Sequence, residues 1–152
     1  MKLIQITSLA IVIALTIVGS VYSQETKLGD LIIQHTSIRP TPPKAPVSGG
    51  YMTIKNTGST SDWLIGGSVS FAKKVEVHQM KMDGDIMKMR QLADGVEIPA
   101  GGEVTLKPGG VHIMFMKLSE RMNMGDKHMV KLMFKNAGEV EIEFDVKKPM
   151  AH

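Results

Sequence analysis

Short runs in which apolar and polar residues alternate dominate this chain, and Gly, Pro, Asn and Asp separate one run from the next. Alternation with period two places successive side chains on opposite faces of an extended strand. The cleanest run follows Asn136-Ala137-Gly138. There Val140, Ile142, Phe144 and Val146 share one face, and Glu139, Glu141, Glu143 and Asp145 share the other. That acidic row reads as a solvated face. The same reasoning predicts strands near residues 30–36, 50–56, 62–69, 74–82, 86–92, 95–98, 103–107, 111–117, 128–135 and 139–146. Past the N-terminal stretch, no segment keeps a helical period over about ten residues. Residues 39–49, R-P-T-P-P-K-A-P-V-S-G, hold four prolines and must run extended. Many short strands at this spacing predict an all-β sandwich or barrel.

Three of these strands carry the most specific pattern. Residues 75–89 read V-E-V-H-Q-M-K-M-D-G-D-I-M-K-M. Asp83-Gly84 is a dipeptide suited to a two-residue type I′ turn. With that turn, Met82 faces Asp85, Met80 faces Met87 and His78 faces Met89. His78, Met80 and Met82 then share one face, and Val75 and Val77 occupy the other. A second stretch, V-H-I-M-F-M at residues 111–116, sets Val111, Ile113 and Phe115 against His112, Met114 and Met116. Pro108-Gly109-Gly110 delivers the chain into it.

The N-terminus bears on where the chain acts. Lys2 is the only charge before Glu25, residues 9–18 are apolar apart from Thr16, and Val21-Tyr22-Ser23 ends in a small residue. This is the form of a secretory signal peptide, with an apolar core of about ten residues, short for a membrane span. An uncleaved membrane anchor is the alternative. Cleavage after Ser23 would place residues 24–152 in the periplasm as one β domain, with 147–152 as a flexible tail. Cys is absent, so packing must hold the fold. Blue-copper electron transfer, Cys nucleophiles and Cys-based zinc sites are excluded with it. Without Lys2 the chain carries 17 Lys+Arg against 15 Asp+Glu, interspersed. No basic stripe with aromatics points to nucleic acid.

The anomaly is methionine. The chain has 13 Met against seven aromatic residues (one Trp, two Tyr, four Phe), and several sit where polar residues would be expected. Thioether and imidazole together suit a soft monovalent metal, which among biological ions points to Cu(I). The candidate ligands are His78, Met89, His112 and Met114. Directly opposed side chains have Cβ atoms about 4.5–5.5 Å apart, close enough for His78 and Met89 to converge on one ion. His112 and Met114 lie on one face of their own strand. The bland account fills the core with Met and leaves both His at the surface. It offers no reason for Met80, Met87, Met89 and Met114 to lie opposite Val75, Val77 and Ile113.

Other residues are weaker candidates. Met80, Met82, Met87 and Met116 read as alternative ligands or as an exposed thioether platform. Met122 and Met124 read as surface contacts in a loop, and His128 as structural. His35 has no partner nearby in sequence. Met150 and His152 in the tail form an accessory binder, where a Cu(II) ion would find the harder ligand it prefers. No nucleophile elbow, H-E-x-x-H, phosphate loop or dinucleotide fingerprint is present, so the chain reads as a binding protein and not an enzyme. The rivals are a secreted β-sandwich adhesion or assembly module with a Met-rich protein-binding face, and a copper-dependent redox enzyme.

On these residues the chain resembles the periplasmic copper chaperones of the PCu(A)C family. The resemblance runs through T-P-P-K-A-P-V-S-G-G-Y-M-T-I-K-N-T-G, V-E-V-H-Q-M-K-M-D-G-D-I-M-K-M-R and G-V-E-I-P-A-G-G-E-V-T-L-K-P-G-G-V-H-I-M-F-M. The family motif is a His, ten residues, a Met, about twenty-one residues, then His-x-Met. Here ten residues separate His78 from Met89, and 22 separate Met89 from His112-Ile113-Met114. The resemblance implies a cupredoxin-like Greek-key β-sandwich with an exposed Cu(I) site near one end. It also implies delivery of copper to a client copper protein, such as the binuclear copper centre of cytochrome c oxidase.

Overall fold

Alternating residues form strands almost wherever the pattern predicts them. The computed structural model describes residues 24–149. The leader expected at 1–23 and the expected accessory pair Met150 and His152 therefore lie outside the described residues. Within them the elements are β1 (Glu25–Leu28), β2 (Leu31–Ile38), β3 (Val47–Asn56), β4 (Asp62–Ser68), β5 (Ala72–Asp83) and β6 (Ile86–Gln91). They continue with β7 (Val96–Ile98), β8 (Glu103–Leu106), β9 (Val111–Leu118), β10 (Lys127–Phe134) and β11 (Gly138–Val146), with no helix among the described residues. Strand β1 is the element the pattern missed. Its four residues, E-T-K-L, are too few to show a period, and it exists because Gly29, at φ +56°, turns it back onto β2.

Hydrogen-bonded neighbours follow the order β6-β5-β9-β3-β2-β11-β10-β4-β7, with β1 on β2 and β8 on β3. The β11–β2 pair is parallel, and the other pairs are antiparallel. The path folds over itself until β4 reaches β5, where a Cβ on Gly67 would lie 3.4 Å from the Val75 side chain. The result is an all-β sandwich. Its core holds Ile33, Ile54, Leu64, Ile113, Phe115, Val130, Leu132 and Phe144, all fully buried. Burial of each such side chain stabilises by about 1.5–3 kcal/mol. Phe115 of β9 tilts against Phe71 with ring centroids 5.1 Å apart, which fixes β9 as an inner strand under the candidate ligands.

One side chain departs from expectation in a way that matters for the site. Met122, expected in surface contact, is fully buried, whereas Met124 is exposed. The Met122 N–H donates to Thr41 Oγ1 at 3.1 Å, and the Thr41 N–H donates to the Met122 carbonyl at 3.0 Å. These two bonds draw Met122 under the sandwich and fasten the proline-rich segment above it. The acidic row of β11 faces Lys127 and Lys131 of β10, a solvated ion-paired surface as expected.

Candidate metal centre

The hairpin that carries His78 and Met89 has a different register from the one Asp83-Gly84 suggested. Along β5 and β6, Asp83 pairs Ile86, Met82 pairs Met87, Met80 pairs Met89 and His78 pairs Gln91. The two turn residues are Gly84 and Asp85. Gly84 sits at φ +64° in the first central position, and Asp85 is not at positive φ. That is the type II′ pattern, which needs Gly only at the first position, whereas type I′ demands positive φ at both. The expected opposition of His78 and Met89 is therefore replaced by Met80 and Met89. Because the slip is two residues, every side chain keeps its face.

The partner of His78 lies on the other side of its strand. In the β5–β9 ladder His78 pairs His112, Glu76 pairs Met114 and Val77 pairs Ile113. Strand β9 in turn pairs β3, with Met114 opposite Gly49. This adjacency is the long-range link that spacing alone does not supply. All four candidate ligands, His78, Met89, His112 and Met114, fall on the outer face of β6-β5-β9. Val77, Ile113 and Phe115 take the inner face and are buried in the core.

An open groove of about 410 Å³ runs over that face. Met80, Met89, His112 and Met114 line it from below, and residues 39–42 and Tyr51 wall it from the side. The wall is braced: Ser48 Oγ donates to the Arg39 carbonyl at 2.7 Å, and Arg121 Nε donates to the Thr41 carbonyl at 2.9 Å. Gly49 makes room for it. A Cβ there would come within 2.6 Å of the Tyr51 hydroxyl, so the Tyr51 ring can lie across β3 only because position 49 has no side chain. The proline-rich segment is non-helical, but it does not run extended throughout as its composition suggested: it turns at Pro43–Lys44, where Lys44 has φ +60° and the Ala45 N–H donates to the Pro42 carbonyl. Its place as a wall had no signal in the sequence.

The two imidazoles are held in different ways. His112 is 6% exposed, and its Nδ1 lies 3.1 Å from the Gly110 carbonyl. A carbonyl only accepts, so Nδ1 carries the proton and Nε2 keeps a free lone pair. Burial pushes the His112 pKa below the usual histidine range, with the nearby His78 adding to it and the Gly110 bond opposing. His78 is turned the other way. Its Nε2 lies 2.9 Å from Glu76 Oε2, with only 12% and 19% of the two side chains exposed. A carboxylate accepts, so here Nε2 carries the proton. Among the described residues the buried Nδ1 has no hydrogen-bond partner. The ring centroids are 6.1 Å apart. An ion bonded at about 2 Å to one nitrogen of each ring would hold the centroids about 5–6.5 Å apart, a range that includes the observed spacing.

Glu76 is the residue that sequence reasoning passed over. Its signal was the i−2 position before His78 in V-E-V-H, on the same strand face. Met80, named only as an alternative, stands directly opposite Met89 and lines the groove with it. Among the described residues no group of three His, Cys, Asp or Glu side chains is placed to hold a metal. An ion on this face would depend on thioether sulfur.

The family model described as "Putative lipoprotein LpqE-like" matches residues 31–146. The chain belongs to the LpqE-like family. A curated relative, "Putative lipoprotein Lxx21020" of Leifsonia xyli subsp. xyli, is 31% identical over 101 residues. The match takes in 66% of this LpqE-like chain and 61% of the relative, so the chain spans less than two thirds of that protein's length. Among solved structures, the copper-bound PCuAC domain from PmoF2 superposes with a TM-score of 0.70 at 26% identity, covering 83% of this chain and 99% of that one. The solution structure of CuI-DR1885 from Deinococcus radiodurans gives 0.63 at 22% identity, covering 82% and 81%. The LpqE-like chain thus has the cupredoxin-like β-sandwich of the PCuAC domains.

Proposed function

We propose that this chain is a copper carrier, which holds Cu(I) on the outer face of β5 and β9 and passes it to a client copper protein outside the cytoplasm. One observation carries the reading: His78 and His112 are directly paired, each has one ring nitrogen committed to a hydrogen bond, and the buried Nδ1 of His78 has no partner among the described residues. Met114 and Met89 on the same face supply the sulfur that a soft ion prefers, and Met80 offers a third thioether within the groove. That the PmoF2 domain, at 26% identity, is copper-bound supports the choice of metal.

The ligand set explains why such a site would release its cargo. Imidazole and thioether are neutral, so the charge on Cu(I) is met only at one remove, by Glu76 behind His78. A client offering thiolates gives both charge and softness, and would draw the ion by exchanging its ligands for these one at a time. Outward transfer towards the binuclear copper centre of cytochrome c oxidase follows the sequence resemblance to copper chaperones. The leader-like N-terminus and the lipoprotein names of the family and its relative support the reading of export, and a periplasmic address is part of the proposal.

The test is a Cu(I) titration against a competing chromophoric chelator, followed by X-ray absorption of the loaded protein. The expected result is competition for copper, with both nitrogen and sulfur neighbours around it. A β-sandwich that serves only adhesion would leave the chelator's copper untouched, and that result would remove the proposal.

A further inference from the structure

We infer that the tip of the β5–β6 hairpin is a second Cu(I) station built of thioethers alone, with Met82 and Met87 as one cross-strand pair and Met80 and Met89 as the next. The inference rests on the copper reading only for the identity of the ion. What carries it is the position of these side chains. Strand β5 pairs β9 only as far as Gln79, so beyond that row the hairpin has no third strand among the described residues. All six residues of β6 are exposed, and Met82, Met87 and Met89 are 54%, 49% and 44% exposed. Methionine in a core is a filler, but here there is little to fill. Nor does strand formation call for it, since β-branched and aromatic residues serve an exposed strand better.

The two faces of the hairpin divide by chemistry. Pairing puts Lys81 opposite Lys88 and Gln79 opposite Arg90 on the far face, where Asp83 also lies and pairs with Lys88. The near face beyond His78 and Gln91 shows four thioethers and no charged group. It therefore offers nothing to a hard divalent cation and suits only a soft one. Opposed Cβ atoms in such pairs lie about 4.5–5.5 Å apart, within reach of two flexible Met side chains converging on one ion. Successive rows on one face are about 7 Å apart along the strand.

The arrangement places the station in line with the groove. Met80 and Met89 belong to both, since they also line the groove beside His112 and Met114. An ion taken up at Met82 and Met87 would move inward by stepwise exchange, one copper–sulfur bond forming as another breaks. Copper remains Cu(I) throughout and no proton is exchanged, because thioethers are neutral. Release would follow the reverse path, with the client meeting the ion at the exposed tip.

The experiment uses the protein carrying 13C-methyl methionine, titrated anaerobically with Cu(I), with methyl signals assigned by single Met→Leu variants. We expect the first equivalent to move the Met89 and Met114 methyls and the second to move Met82 and Met87. The double variant M82L/M87L should weaken the second step by about tenfold or more and leave the first within about twofold. In H112A the first step should weaken while Met82 and Met87 still respond. Methyls of Met82 and Met87 that stay unmoved at two equivalents, or a double variant with both steps intact, would overturn the inference. If Met82 and Met87 respond but H112A leaves the first step unchanged, the tip stands and the proposed groove site falls.

Discussion

Replacing Glu76 by Gln tests whether the groove is organised for a metal, because it changes charge and tautomer while keeping shape. In the parent, the Glu76 carboxylate accepts from His78 Nε2 at 2.9 Å and leaves Nδ1 free. A Gln amide at the same place can accept through oxygen or donate through nitrogen, so it no longer dictates which ring nitrogen is protonated. A hydrogen bond to a charged group contributes about 1.5–3 kcal/mol and a neutral one about 1 kcal/mol. Glu76 and His78 are mostly buried, so solvent screens little of that difference. The lost charge gives an independent figure. A carboxylate about 7 Å from a monovalent ion contributes about 2 kcal/mol at an effective dielectric of about 20. The two routes describe overlapping effects, and both agree with the roughly 10–100-fold loss of metal affinity usual when such a supporting carboxylate is removed.

We therefore expect Glu76→Gln to weaken Cu(I) binding by about tenfold to a hundredfold and to lower unfolding free energy by about 0.5–2 kcal/mol, leaving the domain folded. Two assays check it together: competition titration for affinity, and long-range proton–nitrogen correlation spectra for the His78 tautomer. The parent without copper should show Nε2–H at His78, and the variant a mixture. Affinity within about twofold of the parent, or a parent His78 already protonated on Nδ1, would refute the reasoning.

Other perturbations reach the same face from different directions. Met114→Leu conserves volume and should cost less than about 1.5 kcal/mol of stability, yet lower Cu(I) affinity by an order of magnitude; unchanged affinity in the titration would remove Met114 from the ligand set. One residue inserted between Gly84 and Asp85 should turn Met87 and Met89 to the far face, and X-ray absorption should then count fewer sulfur neighbours although every ligand is still in the chain. In the copper-free protein, burial holds the His112 pKa below its unfolded value, so below about pH 6.5 the unfolded chain binds a proton that the folded one refuses. Stability should then be full above that pH and fall by up to about 1.4 kcal/mol per unit as the pH drops through the window. Melting curves of parent and His112→Asn should diverge at neutral pH and converge in acid.

The strands were legible because one face of nearly every run is buried, and burial writes its period into the sequence. Val77, Ile113 and Phe115 are core residues and mark their neighbours as outward-facing before any contact is known. Parity survived even where register failed. The turn moved from Asp83-Gly84 to Gly84-Asp85, a slip of two in pairing, and the ligand face was unaffected. What the sequence withheld was adjacency between segments far apart in the chain. The pairing of β5 with β9 sets His78 against His112 across 34 positions, and no local pattern encodes it. The same holds for the braced wall at residues 39–42 and for Tyr51 lying over Gly49. Met122 was misread for a related reason: a loop residue is buried only if the chain folds back over it.

A carrier must satisfy two demands that pull apart, holding an ion firmly and giving it up, and on the proposed reading this face would meet them with a gradient of exposure. His112 is 6% exposed on an inner strand whose Ile113 and Phe115 are fully buried, so its nitrogen is fixed by the core itself. His78 is one strand further out and held by Glu76. Met89 stands on the edge strand at 44%, and Met82 near the turn at 54%. In the proposed set the two imidazoles are held rigidly and Met89 is freest, while half-buried Met114 shares the inner strand with His112. Imidazole is the group with the narrower directional requirement, since its lone pair lies in the ring plane. A thioether on three rotatable bonds can follow the ion as it moves. Reversing the assignment, with thioethers in the core and imidazoles on the hairpin, would keep the composition and lose the mobility at the point where a client must enter. The placement of each ligand type, more than the number of ligands, is what suits this sandwich to transfer.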